Sequence, residues 1–260
     1  MKKILSVLII LMLVTTVFAG GKKEQVEIKG VADLVGTKVG VQAGTTGDTW
    51  CIENSGAKEV ASFKTGMDAA LDLKNGVLDA VVLDELPAQS IVDKNPDLMI
   101  IRDPAFTANK EAYAIAVKKG NAELLASINA TIEALKVNGG YEALVAAFMP
   151  TDGNIQIPPV TLESYGETIK LGTNAAFPPF EYVEGNVVVG FDITMGQYIA
   201  KDLAKNIEVV DMAFDSLIAA LDSGVVDFVA AGMSVTEERK KNVDFSIPYY
   251  ESEQVIIIKK

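Results

Sequence analysis

Residues 171–185 read LGTNAAFPPFEYVEG. With the preceding TIK they make an apolar strand that is stopped by Pro178 and Pro179, since proline has no amide to give to a sheet. A hairpin follows in EYVEGNVVVGF, turning at Glu184-Gly185-Asn186, and then DITMGQYIAKDLAKN carries helical spacing. This is the opening of an α/β domain: first strand, first loop, first helix. It stands far into a chain of 260 residues, so another unit must precede it.

That unit can be read outward from the quoted stretch. Upstream, TKVGVQ (37–42), KEVASF, VLDAVVLD and LMIIR read as strands. Between them AGTTGDTWCIENSG, TGMDAALDLKNG and ELPAQSIVDKNP read as helices with Thr caps and Gly or Pro stops. Alternation of this kind argues for a parallel sheet covered by helices. EAYAIAVKK (111–119) reads as one more strand. In 121–140, Leu124, Leu125, Ile128, Ile132 and Leu135 recur at helical spacing, and Gly139 and Gly140 close the helix. YEALVAAFM adds a short helix. Residues 150–167 then carry three prolines and little periodicity, which reads as a linker. Beyond the hairpin and helix already quoted, IEVVDM, VVDFVAAG and EQVIIIKK read as strands, and FDSLIAALDSG and TEERKKN as helices.

Composition narrows the function. Lys2 and Lys3 precede an uncharged apolar run from Ile4 to Ala19, which reads as an export signal over 1–19 rather than a membrane span, with a tether over 20–28. VFAGG followed by KKEQ has the form of a lipoprotein cleavage box, but Gly21 stands where the lipidated Cys would be, so no lipid anchor is expected. The expected location is periplasmic or otherwise extracytoplasmic. Net charge is −12, and −14 once the two signal lysines are removed, which disfavours nucleic acid and anionic membranes as partners. The chain has no histidine and a single cysteine, Cys51. Histidine triads and histidine metal sites are therefore excluded, and neither a metal nor a cofactor is expected. A lone thiol in an exported chain is either reactive or a small buried apolar residue, the second being the commoner.

Two stretches echo one another. Residues 67–84, MDAALDLKNGVLDAVVLD, and residues 215–232, DSLIAALDSGVVDFVAAG, each make a helix with an Ala-Ala-Leu face, a Gly stop and a strand. Helix–Gly–strand is a common unit and the match can be coincidence. Read as two related lobes, it puts Asp84 and Gly232 at equivalent strand ends, where open α/β sheets bind ligands.

The ordered motifs GTNAAFPPFEYVEGNVVVGFDITMGQYIA, FDSLIAALDSGVVDFVAAGMSVTEERKKNVDFSIPYY, DLVGTKVGVQAGTTGDTW and MDAALDLKNGVLDAVVLDELPA resemble the polar-amino-acid-binding proteins of ABC importers, bacterial extracellular solute-binding protein family 3. The resemblance implies an α/β fold of two Rossmann-like lobes with a ligand cleft between them, the class II periplasmic binding protein fold. The first half of this chain resembles the family's second half, and the second half its first. The chain is therefore expected to be a circular permutant, with 29–108 the smaller lobe, 109–260 the larger, and 150–168 joining the family's usual termini. One crossing between lobes, near Asn109–Tyr113, is expected to remain continuous. The other is expected to be cut, with EQVIIIKK pairing at the hinge beside 112–117.

The same resemblance implies a site. GMSVTEER matches the family's Gly-x-Ser/Thr-x-Thr-x-x-Arg segment, so Arg239 is the candidate partner of a ligand carboxylate, with Ser234 and the amide of Thr46 as further donors; a planar guanidinium bonds both carboxylate oxygens. Without the motif, RKK would read as a solvated helix face. Asp84 matches the family's acid for the ligand ammonium, and can also cap the helix ELPAQS. Phe177 and Phe214 match rings that flank the ligand side chain, though aromatics are usually core. Thr45, Thr46 and Gly47 lie between a strand and a helix, where amides can face an anion. Gly232, Asn174 and Gln42 complete the candidates, with Glu181 a further pocket acid. Asn174 leaves the side-chain preference open between basic residues and glutamine. The implied function is capture of a free L-amino acid by a monomer and its delivery to a membrane permease. A dehydratase-like enzyme on the same fold, with Asp84 or Glu181 as general acid, and a ligand sensor are the alternatives.

Overall fold

A computed structural model describes residues 27–151 and 153–260, so the export signal, most of the tether and Gly21 lie outside the described residues. The first part of the chain folds as β1 (Lys38–Gln42), α1 (Thr46–Asn54), β2 (Glu59–Phe63), α2 (Gly66–Lys74), β3 (Ala80–Asp84), α3 (Glu85–Asp93), β4 (Leu98–Ile101) and the single turn α4 (Pro104–Thr107). Thr45 and Thr65 cap α1 and α2, each accepting from the amide three residues on. There follow β5 (Glu111–Tyr113), β6 (Ala116–Lys118), α5 (Ala122–Asn138) and α6 (Gly140–Phe148). The remainder is β7 (Thr168–Thr173), β8 (Ala176–Phe177), β9 (Glu181–Glu184), β10 (Val187–Val189), α7 (Phe191–Asp202), β11 (Asn206–Asp211), α8 (Leu217–Ser223), β12 (Phe228–Val229), β13 (Val243–Phe245), β14 (Tyr250–Ser252) and β15 (Gln254–Lys259).

Two five-stranded sheets form the lobes, in the orders β2-β1-β3-β15-β4 and β11-β7-β12-β6-β13. In each, the first three strands run parallel and the fourth is antiparallel to its neighbours. The two orders are the same pattern, so the helix–Gly–strand echo reflects equivalent places in two similar sheets. The antiparallel strands are exchanged: β6 leaves the first lobe to complete the second sheet, and β15 leaves the second lobe to complete the first. Between the sheets, β5 and β14 pair antiparallel and form the hinge.

Four expectations are corrected. EAYAIAVKK is two strands in different sheets, because the chain must step from the hinge pair into the second lobe at Ala114-Ile115. The second crossing is intact: Tyr250–Ser252 supplies the pairing expected of the last strand, and 254–259 enters the smaller lobe instead of ending at the hinge. The reason is apolar. Val255, Ile256 and Ile257 are fully buried, with Ile256 facing one core and its neighbours the other. TEERKKN forms only a 3-10 turn over Arg239–Lys241, since the segment is short and offers no apolar face to bury. The smaller lobe also starts earlier than expected, as Ile28 is buried in its core.

One apolar cluster runs through both lobes and the hinge, linking Leu83 and Ile91 to Tyr113, Phe177, Phe180 and Ile128. A second fills the outer face of the smaller sheet, between Val39, Val82, Cys51 and Ile256, and a third lies beneath α8. Cys51 is buried, and burial first, then Asp48, pushes its thiol up to about 12. It is a packing residue.

Candidate functional site

Parallel strands end on the same side of each sheet, and the two sheets turn those ends toward one another. The loops after β1, β3 and β12 meet there around a nearly closed pocket of about 10 Å³. Nine of the twelve residues singled out from the sequence line it: Gln42, Thr45, Thr46, Asp84, Phe177, Phe214, Gly232, Ser234 and Arg239. A wider cleft of about 490 Å³ opens beyond it to the surface, with Trp50, Glu53 and Glu238 on its walls.

Asp84 ends β3 and is 4% exposed. It sits at the N-cap position of α3 but makes no side-chain cap. Its Oδ1 instead accepts from Gln254 Nε2 at 2.9 Å. Burial and then the charge of Glu111 raise its carboxyl to about 7, against the attraction of Arg239. Arg239 reaches the pocket from the second lobe and crosses the cleft. Its guanidinium donates to the Ser234 carbonyl at 2.7 Å and to the Gly44 carbonyl of the first lobe at 2.9 Å. It lies 5.3 Å from the centre of the Phe214 ring. Burial lowers its pKa, while Glu111 and Asp84 raise it. Neither hydrogen bond goes to a carboxylate, so the fork keeps N–H groups for an anionic acceptor.

Gly232 follows β12 with φ of +51°, and a Cβ there would lie 2.7 Å from the Phe177 ring. Both facts require glycine. Its amide donates to Asp192 at 2.8 Å, and Tyr249 donates to the same oxygen at 2.7 Å. Asp192 and Glu181 lie together in a fully buried layer, where both Glu181 oxygens and Asp192 Oδ1 make no hydrogen bond among the described residues. Burial first, then Asp192, raises the Glu181 carboxyl well above its usual range, and burial raises Asp192 to about 6. Asp192 thus supports Gly232 from behind, and Glu181 does not line the pocket.

Asn174 and Gly47, like Glu181, do not line the pocket. Asn174 accepts from Gln42 at 2.9 Å and donates to the Met212 carbonyl, tying the lobes together behind the pocket. Gln42 Oε1 is buried without a hydrogen-bond partner, which leaves an acceptor at the pocket wall. Thr45 is committed to capping α1, and Thr46 Oγ1 donates to Glu111 at 2.6 Å. Glu111, Gln254 and Asp192 were not among the candidates. Their only sequence signal is a polar residue opening an otherwise apolar strand or helix.

The arrangement suits a zwitterion: a guanidinium and two hydroxyls on one side, a buried carboxyl on the other, and two aromatic rings with an amide acceptor for a side chain. Residues 169–260 match the family "Bacterial extracellular solute-binding proteins, family 3". The arginine-binding extracellular protein ArtP of Bacillus subtilis is 49% identical over 98 residues, which is 38% of this chain and 38% of that protein. ABC transporter arginine-binding protein 1 of Escherichia coli is 42% identical over 37% of this chain and 40% of its own length. A probable histidine-binding protein of Campylobacter jejuni is 40% identical over 35% of each. The chain thus spans well under half the length of these curated relatives.

Proposed function

We propose that this chain, whose residues 169–260 match the family 3 bacterial extracellular solute-binding proteins, captures a free polar L-amino acid, basic or glutamine, and presents it to an ABC importer. The observation that carries this reading is the convergence of nine candidate residues from both lobes on one pocket. In the proposed complex Arg239 and the hydroxyls of Thr46 and Ser234 take the α-carboxylate, and Asp84 takes the ammonium. Phe177 and Phe214 flank the side chain, and Gln42 Oε1 accepts from its distal N–H groups.

Donors from both lobes are needed to satisfy one small molecule, so ligand favours the closed arrangement by its differential affinity. The closed form is then the species that docks on a membrane permease. We propose that the protein acts as an extracytoplasmic monomer. No helix among the described residues is long and apolar enough to cross a membrane. We further propose that the order of its halves is permuted relative to its relatives, in line with the matching topology of the two sheets and the unstructured run at 154–166 between α6 and β7.

The test is thermal unfolding against the twenty L-amino acids, read together with fluorescence of Trp50, the single tryptophan, at the cleft wall. A selective rise in midpoint for arginine, lysine or glutamine, with a change in Trp50 emission, is expected. No response to any amino acid would overturn the reading.

A further inference from the structure

Glu111 is the first residue of β5, on the hinge between the lobes. Its carboxylate accepts from the Thr46 hydroxyl of the first lobe at 2.6 Å and from the Ser234 hydroxyl of the second at 2.5 Å, both through Oε2. Oε1 accepts from Gln254 Nε2 at 3.2 Å. A carboxylate bonded to donors from both lobes has the contacts that a bound α-carboxylate would make. The two hydroxyls that it occupies are the ones assigned above, together with Arg239, to the ligand. Each hydroxyl has one proton to donate, so it cannot serve two carboxylates at once.

We propose that Glu111 is an internal counter-ligand whose carboxylate occupies the Thr46 and Ser234 donors, so that an amino acid binds by displacing it. The inference rests on the amino-acid reading of the site. It makes Glu111 a negative determinant of affinity for ligands that carry an α-carboxylate. A ligand whose carboxylate is replaced by a neutral amide places a weaker demand on the same hydroxyls, and the competition matters less to it. Glu111 also bridges the lobes in the ligand's place, through Thr46 on one side and Ser234 on the other. The wall of the cleft that carries Trp50 therefore responds to its removal.

The experiment is calorimetric titration of the full chain and of Glu111→Ala and Glu111→Gln with L-arginine, L-lysine and L-glutamine, each beside its α-carboxamide. Charge-assisted hydrogen bonds of this kind predict that Glu111→Ala binds the free acid at least about tenfold more tightly, with a much smaller change for the carboxamide. Glu111→Gln retains an acceptor but no charge and is expected to fall between. Should Glu111→Ala not fold, the acid-to-amide ratio in Glu111→Gln carries the same test. An unchanged ratio, or weaker binding of the free acid in the variants while the parent binds normally, would overturn the role of Glu111 alone. Absence of binding by the parent to all three amino acids would remove the amino-acid reading, and the displacement with it.

Discussion

At the scale of single residues, Asp84 sets the pH demand of the site, since Arg239 stays cationic throughout. A ligand ammonium needs Asp84 ionised, and its carboxyl sits at about 7. Affinity is therefore expected to rise roughly tenfold per unit from pH 5 toward 7 and to level off above, as measured by calorimetry. Asp84→Asn should abolish that slope along with most of the binding. Arg239→Ala removes charge-assisted bonds to the carboxylate and is expected to weaken binding by about 10- to 150-fold, while the fold survives. Stability should move the other way from affinity. Asp84 and Asp192 both bind protons more tightly folded than unfolded, and Glu181 shares the direction. The folded chain thus carries more protons than the unfolded one between about pH 4 and 7, and stability falls as pH rises through that window. The urea midpoint of the unliganded protein should be higher at pH 5 than at pH 7.5. Asp192→Asn, which keeps an acceptor for Gly232 and Tyr249, should flatten the trend.

At the scale of elements, β15 is the informative one. Ile256 is fully buried against Val39, Val82 and Cys51. Ile256→Ala is expected to cost about 2–5 kcal/mol in denaturant unfolding, because a cavity opens between strands paired on both sides. Most of the elements around it could be read from periodicity and caps. The strands of the first lobe, α5, and the hairpin of β9 and β10 fall within a few residues of where the pattern puts them. What could not be read was partnership. A run such as QVIIIK says that both faces are buried, but not in which sheet. EAYAIAV gives no sign that its two ends belong to different lobes. The site divides in the same way. Motif positions such as Arg239 and Asp84 were legible because a residue type at a fixed spacing identifies them. Glu111 and Gln254 act through a meeting of β5 and β15 that exists only in three dimensions.

At the scale of the molecule, the exchanged strands make each lobe depend on the other. The principal core runs without a break from α2 and α3 through the hinge to α5 and α7. Despite having two sheets, the protein is expected to unfold in a single calorimetric transition, with equal van't Hoff and calorimetric enthalpies. Two separated transitions would show that the hinge does not couple them. A saturating amino acid at about a hundred times Kd should raise stability by roughly 2.7 kcal/mol without splitting that transition.

The placement of β15 also bears on the order in which the protein can be built. Synthesis proceeds from the N-terminus, so β3 and β4 are made long before the strand that separates them in the sheet. Until residues 254–259 arrive, both strands have open inner edges and the smaller lobe has an unfilled slot. Contacts so distant along the chain close slowly. The smaller lobe of a nascent chain therefore stays unfinished until residues 254–259 have been made, long after its own strands β1 to β4.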